Sequence, residues 1–159
     1  MSNVNYIPAG YHSVTPSLVV RDGKAALEFY KKAFGAQELS AMYGPDGKTL
    51  MHAEIKIGDS IVMLGGESPE MGANSPQALN GSPVSLYLYV DNCDAWFKRA
   101  VDAGARPTMP PADMFWGDRH AKVTDPSGHN WGILTHQEDV SPAEMDKRVK
   151  EWMAATAKH

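Results

Sequence analysis

The sequence predicts an α+β fold: two tandem βαβββ units followed by a C-terminal helix. Three observations carry this. Gly58 and Gly128 stand 70 positions apart, as do Leu64 and Leu134, while Phe34-Gly-Ala and Ala103-Gly-Ala are offset by 69. Each copy pairs alternating β-runs around a turn; in the second, Asp125-Pro-Ser-Gly128 supplies the turn chemistry between His120–Thr124 and Asn130–Thr135. Each copy also holds one apolar stripe at helical spacing. Two copies of this length make a pseudo-twofold pair rather than a solenoid.

Residues 1–12, polar and aromatic with Pro8 and Gly10, read as an irregular arm. The first module spans 13–65. Ser13 to Val20 is β-branched and apolar, with Pro16 marking an edge or a break in the ladder. Asp22 is a good N-cap for a helix whose face is Ala26, Phe29, Tyr30, Ala33 and Phe34, and Gly35 stops it. Glu38–Tyr43, Leu50–Ile57 and Ser60–Leu64 complete the unit, the last two joined at Gly58-Asp59. Residues 66–83, rich in Gly, Ser, Pro and Asn, read as the linker between the copies, either a plain connector or a segment with a lid or arm role.

The second module spans 84–136. Ser85 to Val90 alternates strictly, leucines on one face and Ser85, Tyr87 and Tyr89 on the other. Asp91-Asn92 caps a helix carrying Ala95, Trp96, Phe97, Ala100 and Val101. Ala105–Met109 is a short strand that Pro110-Pro111 is expected to end, and the two runs around the Asp125 turn follow. The C-terminal helix occupies 137–159. Ser141-Pro-Ala-Glu144 is a capping box, and Met145, Val149, Trp152 and Met153 form a stripe that must bury against its own sheet or a second subunit.

Composition narrows the function. The 159 residues are 43% hydrophobic with net charge −4 and dispersed Lys and Arg, so no basic stripe exists to neutralise phosphates and nucleic acid is not an expected partner. Apolar runs are too short for a membrane span. No signal peptide is visible, and the single cysteine, Cys93, cannot form an internal disulfide, so a cytoplasmic location is expected. No nucleophile elbow or phosphate-cradling glycine loop is present.

The motifs Ala26-Leu-Glu-Phe-Tyr30, Trp116-Gly-Asp-Arg119, Asp125-Pro-Ser-Gly-His-Asn-Trp131 and Thr135-His-Gln-Glu138, set in this repeat, resemble the vicinal oxygen chelate superfamily. That superfamily includes glyoxalase I, bleomycin-resistance proteins, fosfomycin-resistance enzymes and extradiol dioxygenases. The motifs are similar to its PhnB-like branch, as is the Ser141-Pro-Ala-Glu-Met145 helix start. The resemblance covers roughly residues 13–136. It implies a cupped mixed sheet, the glyoxalase/bleomycin-resistance fold, in which each unit supplies half of a cup. It also implies a homodimer, since many members dimerise by exchanging units or pairing sheets.

Metal-dependent members place a His or Glu ligand on the first and last strand of each unit. Those positions fall here on Thr15, Met63, Ser85 and Gly132. A hydroxyl, a thioether and a missing side chain are poor donors for a hard or borderline divalent ion, so neither a metal nor another cofactor is expected. The expected ligand-binding residues are then Tyr87, Tyr89, Trp116, Arg119, Met63, Ser85, Thr15, His52 and Met51. Tyr87 and Tyr89 can stack and donate hydrogen bonds. Trp116 offers a plane and Arg119 a fixed fork of donors, unless Arg119 merely ties a loop to a nearby Asp. Met51 and Met63 give adaptable apolar lining. His52 and Glu54 share one strand face, and His120 and Lys122 share another; the histidines are read either as hydrogen-bonded strand residues or as a functional pair. The leading expectation is a metal-free cup for a small aromatic or amphipathic molecule. The alternatives are a metal-dependent lyase, isomerase or dioxygenase with nonstandard ligands such as His52 and His120, and a structural dimer without ligand.

Overall fold

A computed structural model describes residues 4–157; positions 1–3 of the arm and 158–159 of the last helical segment lie outside the described residues. The helices begin where side chains satisfy their first amides. Asp22 accepts from the Ala25 amide at 3.0 Å to start α1 (Gly23–Phe34), which ends at Gly35 with φ 62°. Asn92 accepts from Ala95 at 3.0 Å to start α2 (Cys93–Asp102). Ser141 accepts from the Glu144 amide at 3.3 Å to start α3 (Pro142–Thr156). An unpaired helix amide next to a Ser, Asn or Asp oxygen is the physical cause in each case.

The strands form two four-stranded mixed sheets. In the first, β1 (Ser17–Val20), β2 (Gln37–Tyr43), β3 (Leu50–Ile57) and β4 (Ser60–Gly66) lie in the order β1-β4-β3-β2. In the second, β5 (Ser85–Tyr89), β6 (Arg106–Asp113), β7 (Asp118–Thr124) and β8 (Asn130–His136) lie in the order β5-β8-β7-β6. In each sheet the strand before the helix pairs parallel to the last strand and the other pairs are antiparallel. This is the two-unit α+β architecture with its appended helix.

The units share one core on their helical sides. Leu18, Val20, Ala53, Ile55, Val62 and Leu64 bury against α1, and Ala121, Val123, Trp131 and Ile133 are buried in the second unit. The join is aromatic: the Phe34 and Trp131 ring centroids are 4.8 Å apart, those of Tyr30 and Trp131 5.8 Å. The Tyr30 hydroxyl donates to Asp125 at 2.6 Å, and Arg99 Nε donates to the Ala33 carbonyl at 2.8 Å. Because the helical sides meet, the opposite face of each sheet is left open.

Three local expectations change. β1 begins at Ser17 rather than Ser13: Pro16 has no N–H to enter the ladder, although its carbonyl accepts from the Met63 amide at 2.9 Å. β6 runs through Pro110 and Pro111 to Asp113 instead of ending at Met109. It is an edge strand with two register shifts, so its prolines need supply no outward hydrogen bonds. The stretch between the units is also more than a tether. Gln77 donates to the Pro126 carbonyl at 2.7 Å, and a Cβ on Gly128 (φ 95°) would press on Pro76, so the segment packs on the Asp125 turn. Among the described residues no helix is long and apolar enough to cross a membrane.

Candidate functional site

Register decides what the open face of the second sheet carries. His120 pairs with Leu134, Lys122 with Gly132, and Tyr87 with Gly132 from the other side. Period 2 puts Tyr87, Tyr89, Gly132, Asp118, His120 and Lys122 on this face, and turns Leu86, Leu88, Ala121 and Val123 toward the core. Gly132 is there because nothing larger fits. A Cβ would collide with the Tyr87 ring and come within 2.9 Å of His120 Nε2. The Tyr87 ring lies over this vacancy, edge-on to His120 at a centroid distance of 5.5 Å, and Trp116 flanks His120 from the other side at 6.1 Å.

His120 is 3% exposed, and neither of its ring nitrogens has a hydrogen-bond partner. Burial and the charge of Lys122 push its pKa below the ordinary histidine value, against the pull of Asp118, which keeps the ring neutral. Leaving a buried polar group unsatisfied costs about 1–3 kcal/mol, so the position is not what packing alone would select.

The neighbouring polar groups are satisfied. Buried Asp118 accepts from Tyr89 Oη at 3.2 Å, Trp116 Nε1 at 3.1 Å and His136 Nδ1 at 2.8 Å. His136 Nε2 meets Asp139 at 3.0 Å, and hydrogen bonds to Asp118 and then Asp139 raise the His136 pKa. Trp116 is set by the tight turn before β7, where Gly117 (φ 99°) abuts the Glu138 carbonyl that a side chain would strike.

Arg119 requires a correction. Of its two readings, a fork for the ligand beside Trp116 or a tie to a nearby Asp, the structure shows the second, because odd and even positions of β7 face opposite ways. Its guanidinium lies on the α2 side, bound to Asp94 of α2 and to Asp113 of β6. It ties the sheet to a helix and is not on the face that carries Trp116 and His120.

The first sheet offers a second surface. His52, Glu54 and Met63 lie on its open face, and Glu54 pairs with Met63 across β3 and β4. Hydrogen bonds from Tyr11 and then His52, at 3.3 Å, hold the Glu54 carboxyl below its usual range. The arm crosses this face and encloses a cleft of about 600 Å³ lined by Tyr6, Pro8, Tyr11, Thr15, Glu54 and Met63. A groove of about 470 Å³ runs between the β3–β4 hairpin and β5, and it contains Thr15, Ile61, Tyr87 and Tyr89. Thr15 borders both spaces, with Met63 in the first and the two tyrosines in the second. Ser85 is exposed at the start of β5. Met51 is 59% exposed at the start of β3 and lines neither space. His52 and His120 stand on different sheets, each in its own surroundings.

The four positions where metal-dependent relatives carry ligands do not suit a metal. The Thr15 hydroxyl donates to the His12 carbonyl at 3.1 Å, Met63 presents a thioether, Ser85 a lone hydroxyl, and the space beside Gly132 is filled by Tyr87. Among the described residues no group of three or more His, Cys, Asp or Glu converges as a metal site would require. Cys93 is a packing residue: its thiol is buried, donates to the Ile133 carbonyl at 3.2 Å and is pushed up in pKa by burial.

Sequence reasoning missed Tyr11 and Asp118. Tyr11 lies in an arm without periodicity, so nothing in the sequence places it over Glu54. Asp118 could have been suspected from strand parity with His120 once the start of β7 was set.

A model of the Glyoxalase/Bleomycin resistance protein/Dioxygenase superfamily matches residues 10–133. Uncharacterized protein Mb0911c of Mycobacterium bovis is 44% identical over 133 residues, covering 82% of this chain and 84% of that protein. The X-ray structure of the Arabidopsis thaliana gene product At5g48480 superposes with a TM-score of 0.63 at 27% identity, over 77% of this chain and 98% of that one. TioX from Micromonospora sp. ML1 superposes with a TM-score of 0.59 at 25% identity, over 82% of this chain and all of that one (100%).

Proposed function

The chain belongs to the Glyoxalase/Bleomycin resistance protein/Dioxygenase superfamily, and from that premise we propose that it is a metal-free binding protein for a small aromatic or amphipathic molecule. Within the superfamily, the helix motif Ala26–Tyr30 and the Asp125–Trp131 turn support a place in the PhnB-like branch. The observation that carries the reading is the Gly132 position. Where a metal-dependent relative would present a carboxylate or imidazole, this chain has no side chain and seats the Tyr87 ring. Tyr87 makes an aromatic lining where a charged coordination site would stand, with Trp116 near it at His120, Thr15 in the groove that holds Tyr87, and Met63 in the neighbouring cleft that Thr15 also borders. Planar rings against adaptable apolar side chains favour a flat, partly apolar ligand.

The cup belongs to a homodimer in this proposal. The open face of each sheet exposes large apolar side chains, Tyr87 and Tyr89 on one and Met42 and Met51 on the other. Strands β1 and β5 both end their sheets with an unpaired edge. A second copy paired along those edges would close the cup over the two faces and leave the space between them for the ligand.

The test is metal analysis of native protein purified without chelators, joined to a thermal-shift screen of aromatic acids, amines and phenols. Binding stabilises the folded state by mass action. The expected result is less than a tenth of an equivalent of divalent metal, together with aromatic ligands that raise the melting temperature equally with and without chelator. Stoichiometric metal whose removal abolishes ligand binding would overturn the reading.

A further inference from the structure

Among the buried side-chain polar atoms described, the two nitrogens of His120 are the ones without a partner. What covers them is Tyr87. Tyr87 as a residue is 59% exposed although its ring edge rests on Gly132 and His120, so a turn about χ1 has open space to carry the ring off His120. Tyr89, two residues on, is instead tied to Asp118. The uncovered space would be floored by Gly132, walled by Trp116, and bordered by Lys122, the next residue on this face of β7. Two residues of strand place Lys122 about 6.6 Å from His120 along the sheet. Lys122 is exposed, and the nearest buried carboxylate, Asp118, already accepts three hydrogen bonds.

We propose that His120 is the specificity-determining residue of this cup, that Tyr87 is a movable ring over it, and that the ligand is a planar aromatic acid bearing a hydroxyl group. This rests on the metal-free binding reading. A neutral imidazole has one N–H donor and one lone-pair acceptor, and a phenolic hydroxyl can meet either. Tyr87 and Trp116 would contact the ring of the ligand, and the Lys122 cation its carboxylate. The Lys122 ammonium rides on a flexible four-carbon stem, so it can follow a carboxylate on the far side of a ring whose hydroxyl meets His120. A site whose polar group finds its partner only in the ligand discriminates strongly against an analogue lacking that partner.

The probes are 4-hydroxybenzoate, benzoate and 4-hydroxybenzamide, titrated into the full chain. The readouts are the imidazole nitrogen resonances of His120 and the indole N–H of Trp116 in NMR. The expected result is saturable movement of both signals by 4-hydroxybenzoate, with affinity at least tenfold above that of benzoate and of the amide. His120→Phe should remove the preference for the hydroxyl and Lys122→Met the preference for the acid. Because His120→Phe also deletes two unsatisfied buried nitrogens, it should melt no lower than the parent. His120→Leu serves the same comparison if Phe overpacks the site, and the parent titration needs no variant at all. If all three probes move Trp116 alike and leave His120 still, the proposal fails while the binding cup survives. If no probe moves either signal, the proposal fails as well, and the binding reading stands or falls on the wider thermal-shift screen.

Discussion

Asp125 shows how much one residue can hold together. It is 4% exposed and accepts from Tyr30 Oη at 2.6 Å, Trp131 Nε1 at 3.0 Å, His129 Nδ1 at 3.2 Å and the amides of Ser127 and His129. Burial pushes its pKa up, but the hydrogen bond and charge of His129 and the bonds from Tyr30 and Trp131 outweigh it, and the net shift is downward. Its folded-state pKa being lower than the unfolded 3.8, it contributes stability above that value and loses it as pH falls through the folded one. Asp125→Ala, which strands several donors, should cost about 3–5 kcal/mol in urea unfolding at pH 7. Tyr30→Phe, which removes one bond to a charged group, should cost about 1.5–3 kcal/mol. A loss under 1 kcal/mol for the alanine variant would mean that the turn relaxes without its anchor.

His136 has the opposite sign. Its pKa is raised above 6.5, so the stability it adds is complete below 6.5 and vanishes as pH rises through the folded value. The melting temperatures of the parent and His136→Gln should therefore differ most near pH 6 and converge by pH 9. A gap that stays constant across that range would show that the imidazole acts through shape rather than charge.

At the scale of elements, what could be read from sequence was whatever repeats. The helix caps at Asp22, Asn92 and Ser141, the turn at Asp125 and the alternation of Ser85–Val90 each follow from a local rule, and the offset of the two copies checks one against the other. Illegible features depended on partners far away in sequence. The side of the sheet that Arg119 takes was readable in principle from strand parity, but its partner Asp94, 25 residues upstream, was not. Prolines 110 and 111 signal a strand end only if the strand has neighbours on both sides; an edge removes the objection. The orphaned state of His120 was beyond sequence, because it needs the coordinates of every group that could have satisfied it.

The helix α3 belongs to the same scale. It has no fully buried residue, although Arg148 forks onto Glu138 at 2.8 Å and the Phe115 and Trp152 rings approach to 5.5 Å. Trp152 and Met153 stay 52% and 59% exposed, which is unusual for a stripe at helical spacing and fits a surface that a second subunit covers. If the proposed homodimer uses this helix, a chain ending at residue 140 should have a lower mass in light scattering than the full chain, and it should show a lower denaturant midpoint because Phe115 loses the cover of Trp152. If neither mass nor midpoint changes, the helix is an appendage.

At the scale of the molecule the question is whether Gly132 and Tyr87 close the metal route for good or merely leave it unused. A metal site needs several donors converging at about 2 Å, supported by groups that orient them. Here the obstacle is steric as well as chemical: any side chain at 132 strikes the Tyr87 ring. Placing His at 15 and 85 and Glu at 63 alone should therefore leave zinc uptake in equilibrium dialysis at the parent level. Adding Glu at 132 should cost stability by about 1–3 kcal/mol of overpacking, unless Tyr87 is cut to Ala in the same chain. The variant with all five changes is the one expected to gain zinc, and its Tyr87→Ala change alone should still fold, since Tyr87 is 59% exposed as a residue and lies outside the shared core. Zinc taken up equally with and without Tyr87 would show that the ring moves aside freely. That outcome would leave the missing donors at 15, 63, 85 and 132, rather than the ring, as the barrier to a metal in the native cup.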